Sequence, residues 1–440
     1  MIDMPKKCIL IVLDGLGDRA IPALGYRTPL QTARTPVLDR FAREGANGLY
    51  HASFPGQALP SENAHFAMFG YAPKDFPGRG ALEAIGSGIR LSADKEVAIL
   101  GHLACVKETG GILILEDGKP EPDHGVAEEL IAAITPFRFE NLEFEFHQTH
   151  GIHGILVIKD NASPFITDSD PIESGRPLIS VKPWREYNAD TAAALTARAM
   201  TAYLRHIHRR LLHHPLNTSR TRRNRPAINA VVTQRAGRLK PVPTFTERYG
   251  IRGLSIASGL VYHGLGAYLG IDCIKSKDTG NPGNDLADRI STALASLSNY
   301  DLIHVHTKTP DEAAHTKDPL FKKAVIESLD RGIGKVAETL MRDPDLLVVI
   351  TADHSTPSQG PLIHSGEPVP LVMWGSGVRR DSIHEFSEVS CAGGALGMLR
   401  GVELIHMILN HLDRIKLHGL RDTPDDQPYW PGNYEPFQIQ

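Results

Sequence analysis

Short runs of mostly apolar residues recur along this chain. Cys8-Ile-Leu-Ile-Val-Leu13 is the first, and Gly253-Leu-Ser-Ile-Ala257, Leu346-Leu-Val-Val-Ile350 and Val369-Pro-Leu-Val-Met-Trp374 repeat the pattern. A run with no polar alternation fits a strand buried on both faces of a parallel sheet. Other stretches show helical spacing. Thr35–Glu44 opens with a Thr-Pro start signal, and Leu286–Leu297 reads as a helix. Gly401–Lys416 places Leu404, Ile405, Ile408 and Leu412 on one face, as a helix packed on a sheet would. Strands and helices in this arrangement predict a doubly wound, mostly parallel α/β sheet.

From about Asp94 to Lys240 the pattern changes. Gly111–Leu115, Leu142–Phe146 and Gly154–Ile158 read as strands, with helices near Val126–Ile134 and over the Ala- and Leu-rich Asp190–Leu212. This predicts an inserted α+β cap domain of residues 94–240, both ends returning to a core made of residues 1–93 and 241–440. The stretch from Arg205 to Lys240 contains Arg220-Thr-Arg-Arg-Asn-Arg225 but no interleaved aromatics. It reads as a solvated loop or a basic rim attracting an anionic substrate, rather than a nucleic-acid contact. The polar, Pro-containing tail from Asp422 reads as irregular surface chain.

A length of 440 residues exceeds what one core usually supports, in line with two domains. With 47 basic against 51 acidic residues the net charge is −4, so nothing global draws the chain to nucleic acid or to a membrane. Cys8, Cys105, Cys273 and Cys391 lie far apart, which fits a reducing compartment and excludes a Cys-type zinc site. Met1-Ile-Asp-Met-Pro-Lys-Lys7 lacks the apolar core of a signal peptide, and no run reaches the length of a membrane span. A cytoplasmic protein is expected, without nucleic-acid or membrane partners; its oligomeric state stays open.

The candidate chemistry lies where the strand-like runs end. Asp311-Glu-Ala-Ala-His315 follows Asp301-Leu-Ile-His-Val-His306, Asp353-His354 follows Leu346–Ile350, and His364-Ser-Gly comes shortly after. Loops beyond the carboxyl ends of strands are where an open α/β sheet collects ligands. Asp and His at i and i+4 share one face if the segment is helical. Two carboxylates and three imidazoles suit Zn²⁺ or Mn²⁺. Asp14 ends the first run in Asp14-Gly-Leu-Gly-Asp18, a placement open to a metal ligand or to plain turn chemistry. Ser61 follows Pro60 at the start of a helical run. Such a serine is either an N-cap or a hydroxyl aimed at a phosphate, which a nearby metal turns into a nucleophile.

These motifs occur together with Thr28-Pro-Leu30, Thr35-Pro-Val-Leu-Asp39, Ser61-Glu-Asn-Ala-His65, Gly78-Arg-Gly-Ala-Leu-Glu83, His214-Pro-Leu-Asn217, Thr233-Gln-Arg-Ala-Gly237, Tyr249-Gly-Ile-Arg-Gly253 and Arg400-Gly-Val-Glu403. In this order, over nearly the whole chain, they resemble the archaeal-type branch of the cofactor-independent phosphoglycerate mutases, in the alkaline phosphatase superfamily. The resemblance implies an alkaline-phosphatase-like core and two divalent metal ions, Mn²⁺, Zn²⁺ or Mg²⁺. It implies one ion held by Asp14, Ser61, Asp353 and His354, the other by Asp311, His315 and His364, with Ser61 as the nucleophile. Contacts to a small phosphorylated acid are expected from His65, His153, Arg235 and Lys308.

The expected activity is serine-mediated phosphoryl transfer that interconverts 2- and 3-phosphoglycerate, or a close variant of it. Two other expectations stay open. One is a phosphoryl or phosphonyl transferase or phosphatase acting on a different phosphorylated or phosphonate hydroxy acid. The other is a non-catalytic protein that binds a phosphometabolite. The chain departs from the family pattern at three cap segments. Glu116–Asp123 stands where the family carries Asp-Arg-Arg-Ala-Gly-Arg, Leu100-Gly-His-Leu103 where it carries Arg-Cys-Asn-Phe, and His153 where it carries an arginine. An imidazole does not reproduce the bidentate grip of arginine on phosphate or carboxylate.

Overall fold

The computed structural model describes residues 4–439. They form two compact units, one built from the chain up to Phe76 and from Val242 onward, the other from Pro77–Pro241. The first unit opens with strands β1 (Lys7–Leu13) and β2 (Ala46–His51). The second contributes β3 (Val97–Thr109), β4 (Ile112–Asp117), β5 (Phe137–Phe139), β6 (Leu142–His150), β7 (His153–Ile158) and β8 (Ala230–Gly237). The first then resumes with β9 (Gly253–Ala257), β10 (Asp272–Lys275), β11 (Leu302–Thr307), β12 (Leu346–Thr351), β13 (Val369–Trp374) and β14 (Gly397–Arg400).

The first unit is the expected mostly parallel α/β sheet. Its strand order is β10-β9-β11-β1-β12-β13-β2-β14, with β13 antiparallel to both of its neighbours. The central strands β1, β11 and β12 are buried along their length, apart from Lys7 at the start of β1, which is why their sequences show no alternation. All three run parallel, with Leu13 opposite Thr307 and Val12 opposite Thr351. The chain therefore leaves them at one edge of the sheet, and Asp14, Lys308 and Asp353 emerge side by side. Among the described residues no helix is long and apolar enough to cross a membrane.

The second unit is an antiparallel sheet in the order β4-β3-β7-β6-β5, with β8 added against β3. One face packs Val97, Ile99, Leu103, Phe144 and Leu156 against Leu130 and Tyr203 of the Val126–Ala132 and Thr191–Leu212 helices. Alternate residues point the other way. There Ala98, Ile155 and Val157 pack with Ala84, and Ala104, Val106, Ala230 and Val232 form a separate patch. The helix Arg79–Gly86, which carries Ala84, lies so close to β3 that a Cβ on Gly80 would meet the Ala98 carbonyl oxygen at 2.1 Å. Packing thus draws residues 77–93 into the second unit, and the boundary expected at 94 falls at 77.

The Arg205 to Lys240 stretch is also more ordered than expected. It contains the end of the long helix, a helix over Pro215–Arg222, and β8. Arg220 is buried, its Nε donating to the Pro226 carbonyl at 3.1 Å, and Arg225 pairs with Asp123 at 2.9 Å. Much of this charge therefore has structural partners.

Candidate metal centre and nucleophile

Four side chains converge at the edge where β1 and β12 end. Asp14 follows β1 and Asp353 and His354 follow β12, while Ser61 stands at the first position of the helix Ser61–Met68. The capping position of this helix is taken by Pro60. The Ser61 Oγ lies 3.0 Å from His354 Nε2. The same nitrogen is 3.4 Å from Asp14 Oδ1 and 3.3 Å from Asp353 Oδ2. Both of those carboxylate oxygens are buried and lack a hydrogen-bond partner. The opposite oxygens are tied down: Asp353 Oδ1 accepts the N–H groups of Gly15 and His354, and Asp14 Oδ2 accepts from His306 and Tyr262. A buried carboxylate oxygen without a donor is costly unless a cation meets it. Ligand bonds of about 2.0–2.1 Å in a tetrahedron put donor atoms roughly 3.3 Å apart, so this oxygen- and nitrogen-donor set fits a divalent ion.

Gly15 shows how closely the loops meet. Its φ is +65°, and a Cβ there would lie 2.6 Å from Thr356 Oγ1 and 2.7 Å from Asp311 Cβ. Glycine supplies both the left-handed turn and the space.

Below the four side chains lies a layer of buried rings. His306 Nε2 sits 2.8 Å and the Tyr262 hydroxyl 2.7 Å from Asp14 Oδ2. Burial lowers the His306 pKa and raises that of Tyr262 well above its ordinary value, so a neutral imidazole and a neutral phenol donate to Asp14. Burial alone would raise the Asp14 carboxyl; the hydrogen bond from His306, foremost among the lowering influences, helps hold the group below the usual carboxylate range. His65 belongs to this layer. It is fully buried, with Nδ1 2.8 Å from the Ser61 carbonyl and 3.4 Å from Asp353 Oδ2. Expected at the substrate, it supports Ser61 and Asp353 from beneath, because one helical turn after Ser61 carries it into the core.

A second set stands beside the first. The helix Thr309–His315 places Asp311 and His315 one turn apart, with His315 Nε2 3.3 Å from Asp311 Oδ1. His364 Nε2 is 3.5 Å from the same oxygen. The Nδ1 of His364 lies 2.8 Å from the Leu59 carbonyl, and donating there leaves Nε2 free as a ligand atom. The His354 and His364 rings stack at 3.8 Å between centres, which brings the two sets together.

Thr356, which the sequence left unassigned, joins them. Its hydroxyl donates to Asp311 Oδ1 at 2.7 Å and accepts from His354 Nδ1 at 3.1 Å, so His354 too keeps Nε2 free. Thr356→Val keeps the shape and removes both bonds. Bound metal, measured by equilibrium dialysis, should then weaken about 10- to 100-fold. Unchanged affinity would show that Thr356 fixes neither set.

Of the other residues expected at the substrate, Lys308 caps the Thr309–His315 helix, partly exposed, with Nζ 3.9 Å from Asp311 Oδ2. His153 and Arg235 belong to the second unit. Arg235 is exposed on β8, and its backbone N–H donates to Asp168 at 2.7 Å. His153 opens β7 directly opposite His102, and burial, with the charge of His102 next, pushes its ring down to about 4.

Residues 6–411 match the Metalloenzyme superfamily. The chain is 40% identical over 437 residues to the 2,3-bisphosphoglycerate-independent phosphoglycerate mutase 2 of Methanocaldococcus jannaschii, covering 98% of each chain. It is 37% identical to the 2,3-bisphosphoglycerate-independent phosphoglycerate mutase of Methanopyrus kandleri, over 94% of this chain and 99% of that one. Among solved structures it is similar to the cofactor-independent phosphoglycerate mutase of Thermoplasma acidophilum, with a TM-score of 0.62 and 28% identity over 92% of this chain and 99% of that one. Motifs, fold and sequence similarity agree: the chain belongs to the metalloenzyme superfamily and, within it, to the cofactor-independent phosphoglycerate mutases.

Proposed function

We propose that the protein is a metal-dependent phosphoglycerate mutase that moves a phosphoryl group by way of Ser61. One observation carries this reading: Ser61 Oγ, Asp14 Oδ1 and Asp353 Oδ2 each lie 3.0–3.4 Å from His354 Nε2, and the two carboxylate oxygens are buried without a hydrogen-bond partner. Asp14, Ser61, Asp353 and His354 would hold one ion, and Asp311, His315 and His364 the other, with Mn²⁺, Zn²⁺ and Mg²⁺ as candidates. Bound there, divalent ions polarise phosphoryl oxygens and lower the pKa of the serine hydroxyl.

Ser61 Oγ attacks the phosphorus and loses its proton as the Oγ–P bond forms. The bond from phosphorus to the substrate oxygen breaks, that oxygen takes up a proton, and a phosphoserine results. The other hydroxyl of the same acid then attacks the phosphoserine phosphorus; its P–O bond forms as the Oγ–P bond breaks, and the proton it gives up balances the one that Ser61 Oγ takes back. His306 and Tyr262 hold Asp14 in one orientation throughout. Lys308 offers a cation to the phosphoryl oxygens as charge builds on them.

Phosphorus NMR of the manganese-loaded protein with 3-phosphoglycerate tests this. 2-Phosphoglycerate should appear, stop appearing after chelation, and return with added Mn²⁺. No interconversion with Mn²⁺, Zn²⁺ or Mg²⁺ would overturn the reading.

A second reading has one observation in its favour. The segments that depart from the family pattern gather in the second unit, where His102 pairs with His153 across β3 and β7. Each charge-assisted bond lost with an arginine is worth about 1.5–3 kcal/mol. A different phosphorylated or phosphonate hydroxy acid would then be the better substrate. A panel of such acids in the same assay decides it, since a kcat/KM for 3-phosphoglycerate of about 10⁴ M⁻¹s⁻¹ or more, with nothing better in the panel, removes this reading.

A further inference from the structure

We propose that a groove along the long helix of the second unit is a docking site for an acidic, amphipathic helix of a partner protein. The helix Thr191–Leu212 carries Arg198, Arg205, Arg209 and Arg210 and no acidic residue over its 22 positions. Met200, Tyr203 and Ile207 point into the core of the unit. Ala194, Ala197, Arg198, Thr201, Ala202 and Arg205 recur at helical spacing on the other side and share one face. That face lines a groove of about 520 Å³, together with Phe139 of β5 and the segment Val181-Lys182-Pro183.

The groove has an apolar floor and a cationic rim. Ala194, Ala197 and Ala202 are small, so the backbone of a docked helix can approach closely. Lys182, Arg198 and Arg205 are exposed beside them. Arg198 pairs with Glu140 at 3.0 Å, a contact between two exposed groups that an incoming carboxylate displaces at little cost. Among the described residues, Lys182 and Arg205 make no ion pair. The complement of this surface is a ridge of large apolar side chains flanked by carboxylates. Arg198 and Arg205 stand two turns apart, about 10.5 Å along the axis, so acids seven residues apart on a helix lying in the groove reach both. A helix that binds a membrane projects large apolar anchors, whereas here the apolar residues recede between the cations. Single-stranded nucleic acid is held by stacking on aromatic rings, and Phe139 is the one aromatic residue of this lining.

The test uses the full chain and a defined probe, a fluorescein-labelled peptide of Ala, Leu and Glu about four turns long. Its Leu residues form a ridge at three- and four-residue spacing, with a Glu beside the ridge every seventh residue. Fluorescence anisotropy should show saturable binding to the wild type. Arg198→Glu/Arg205→Glu changes two exposed positions, should match the wild type by circular dichroism, and should bind at least about tenfold more weakly. Ala202→Trp fills the groove without changing its charge and should weaken binding to a similar degree. A peptide with Ser in place of Leu keeps the charge and should also bind at least about tenfold more weakly. No binding to the wild type, equal binding to the arginine variant or equal binding of the Ser peptide would overturn the proposal. If Ala202→Trp does not fold, the arginine variant and the Ser peptide decide. Tighter binding of phosphatidylserine vesicles or of single-stranded DNA than of the peptide, lost in the arginine variant, would assign the groove to a membrane or a nucleic acid and overturn it. Self-association of the wild type that the arginine variant loses would make the occupant a second copy, with the same consequence. The readout is binding, so the mutase reading stands or falls separately.

Discussion

Ser61→Ala is expected to lower turnover by about 10⁴-fold or more while leaving the fold in place. The loss should be this large because the hydroxyl is the group of the set that acts as the nucleophile in the proposed transfer. Asp14, Asp353 and His354 converge on the same point, but their atoms have the arrangement of ligands, with Asp353 Oδ1 and Asp14 Oδ2 already committed to protein donors. Stability should change little. A capping serine contributes about 0.5–2 kcal/mol, and the capping position of this helix belongs to Pro60. The two expectations together separate a nucleophile from a structural serine. Circular dichroism and thermal melting should match the wild type, and intact mass of the wild type trapped with substrate should show one added phosphoryl group, mapped to Ser61. Phosphate on another residue, or a variant that keeps most of its activity, would remove Ser61 from the mechanism.

Asp14, Asp311 and Asp353 could be picked out from the sequence because each follows an unalternating apolar run, and such runs are what strands buried on both faces look like. Their meeting depends on the order β11-β1-β12, which joins segments some three hundred residues apart and has no local signature. Tyr262 and His306 were hidden for another reason. Tyr262 lies in the apolar helix Leu260–Leu269 and His306 inside β11, so both look like core residues, and only their hydrogen bonds to Asp14 show what they do. For His65, spacing says that it is near Ser61 but not which side of the helix faces the sheet, and so not that its ring is fully buried.

The second unit was harder to read. β3 carries Gly101 and His102 in mid-strand, and β8 follows an arginine-rich segment, so neither shows a clean alternation. Their pairing, Ala98 with Gly237, spans almost the whole unit. The helix expected over Gly401–Lys416 is confined to Glu403–His411, because Gly401 and Asp413 take φ of +46° and +53° and end it on both sides.

Lys322→Met should destabilise the first unit by about 3–5 kcal/mol and weaken its metal binding. Lys322 lies on the helix Pro319–Gly334 and is fully buried. Its ammonium spends all three protons, donating to the Gly17 carbonyl at 2.9 Å, the Thr356 carbonyl at 2.8 Å and Asp18 Oδ2 at 3.2 Å. Gly17 and Asp18 belong to the loop after β1, and Thr356 to the loop after β12. One buried cation therefore fastens together the loops that carry Asp14 and Asp353. Burial lowers the Lys322 pKa and the charge of Asp18 works against it, so the paired, charged state is what the site is built for. Methionine matches the length of lysine but leaves the Asp18 carboxylate buried without its cation. Removing one partner of a buried pair costs more than removing both, so adding Asp18→Asn to Lys322→Met should recover part of the loss. Urea titration, following the transition of the first unit, measures the stability, and equilibrium dialysis measures the metal. A loss below about 1 kcal/mol in the single variant, or no recovery in the double, would mean that the loops are held by their backbone contacts and that Lys322 is only a filler of the core.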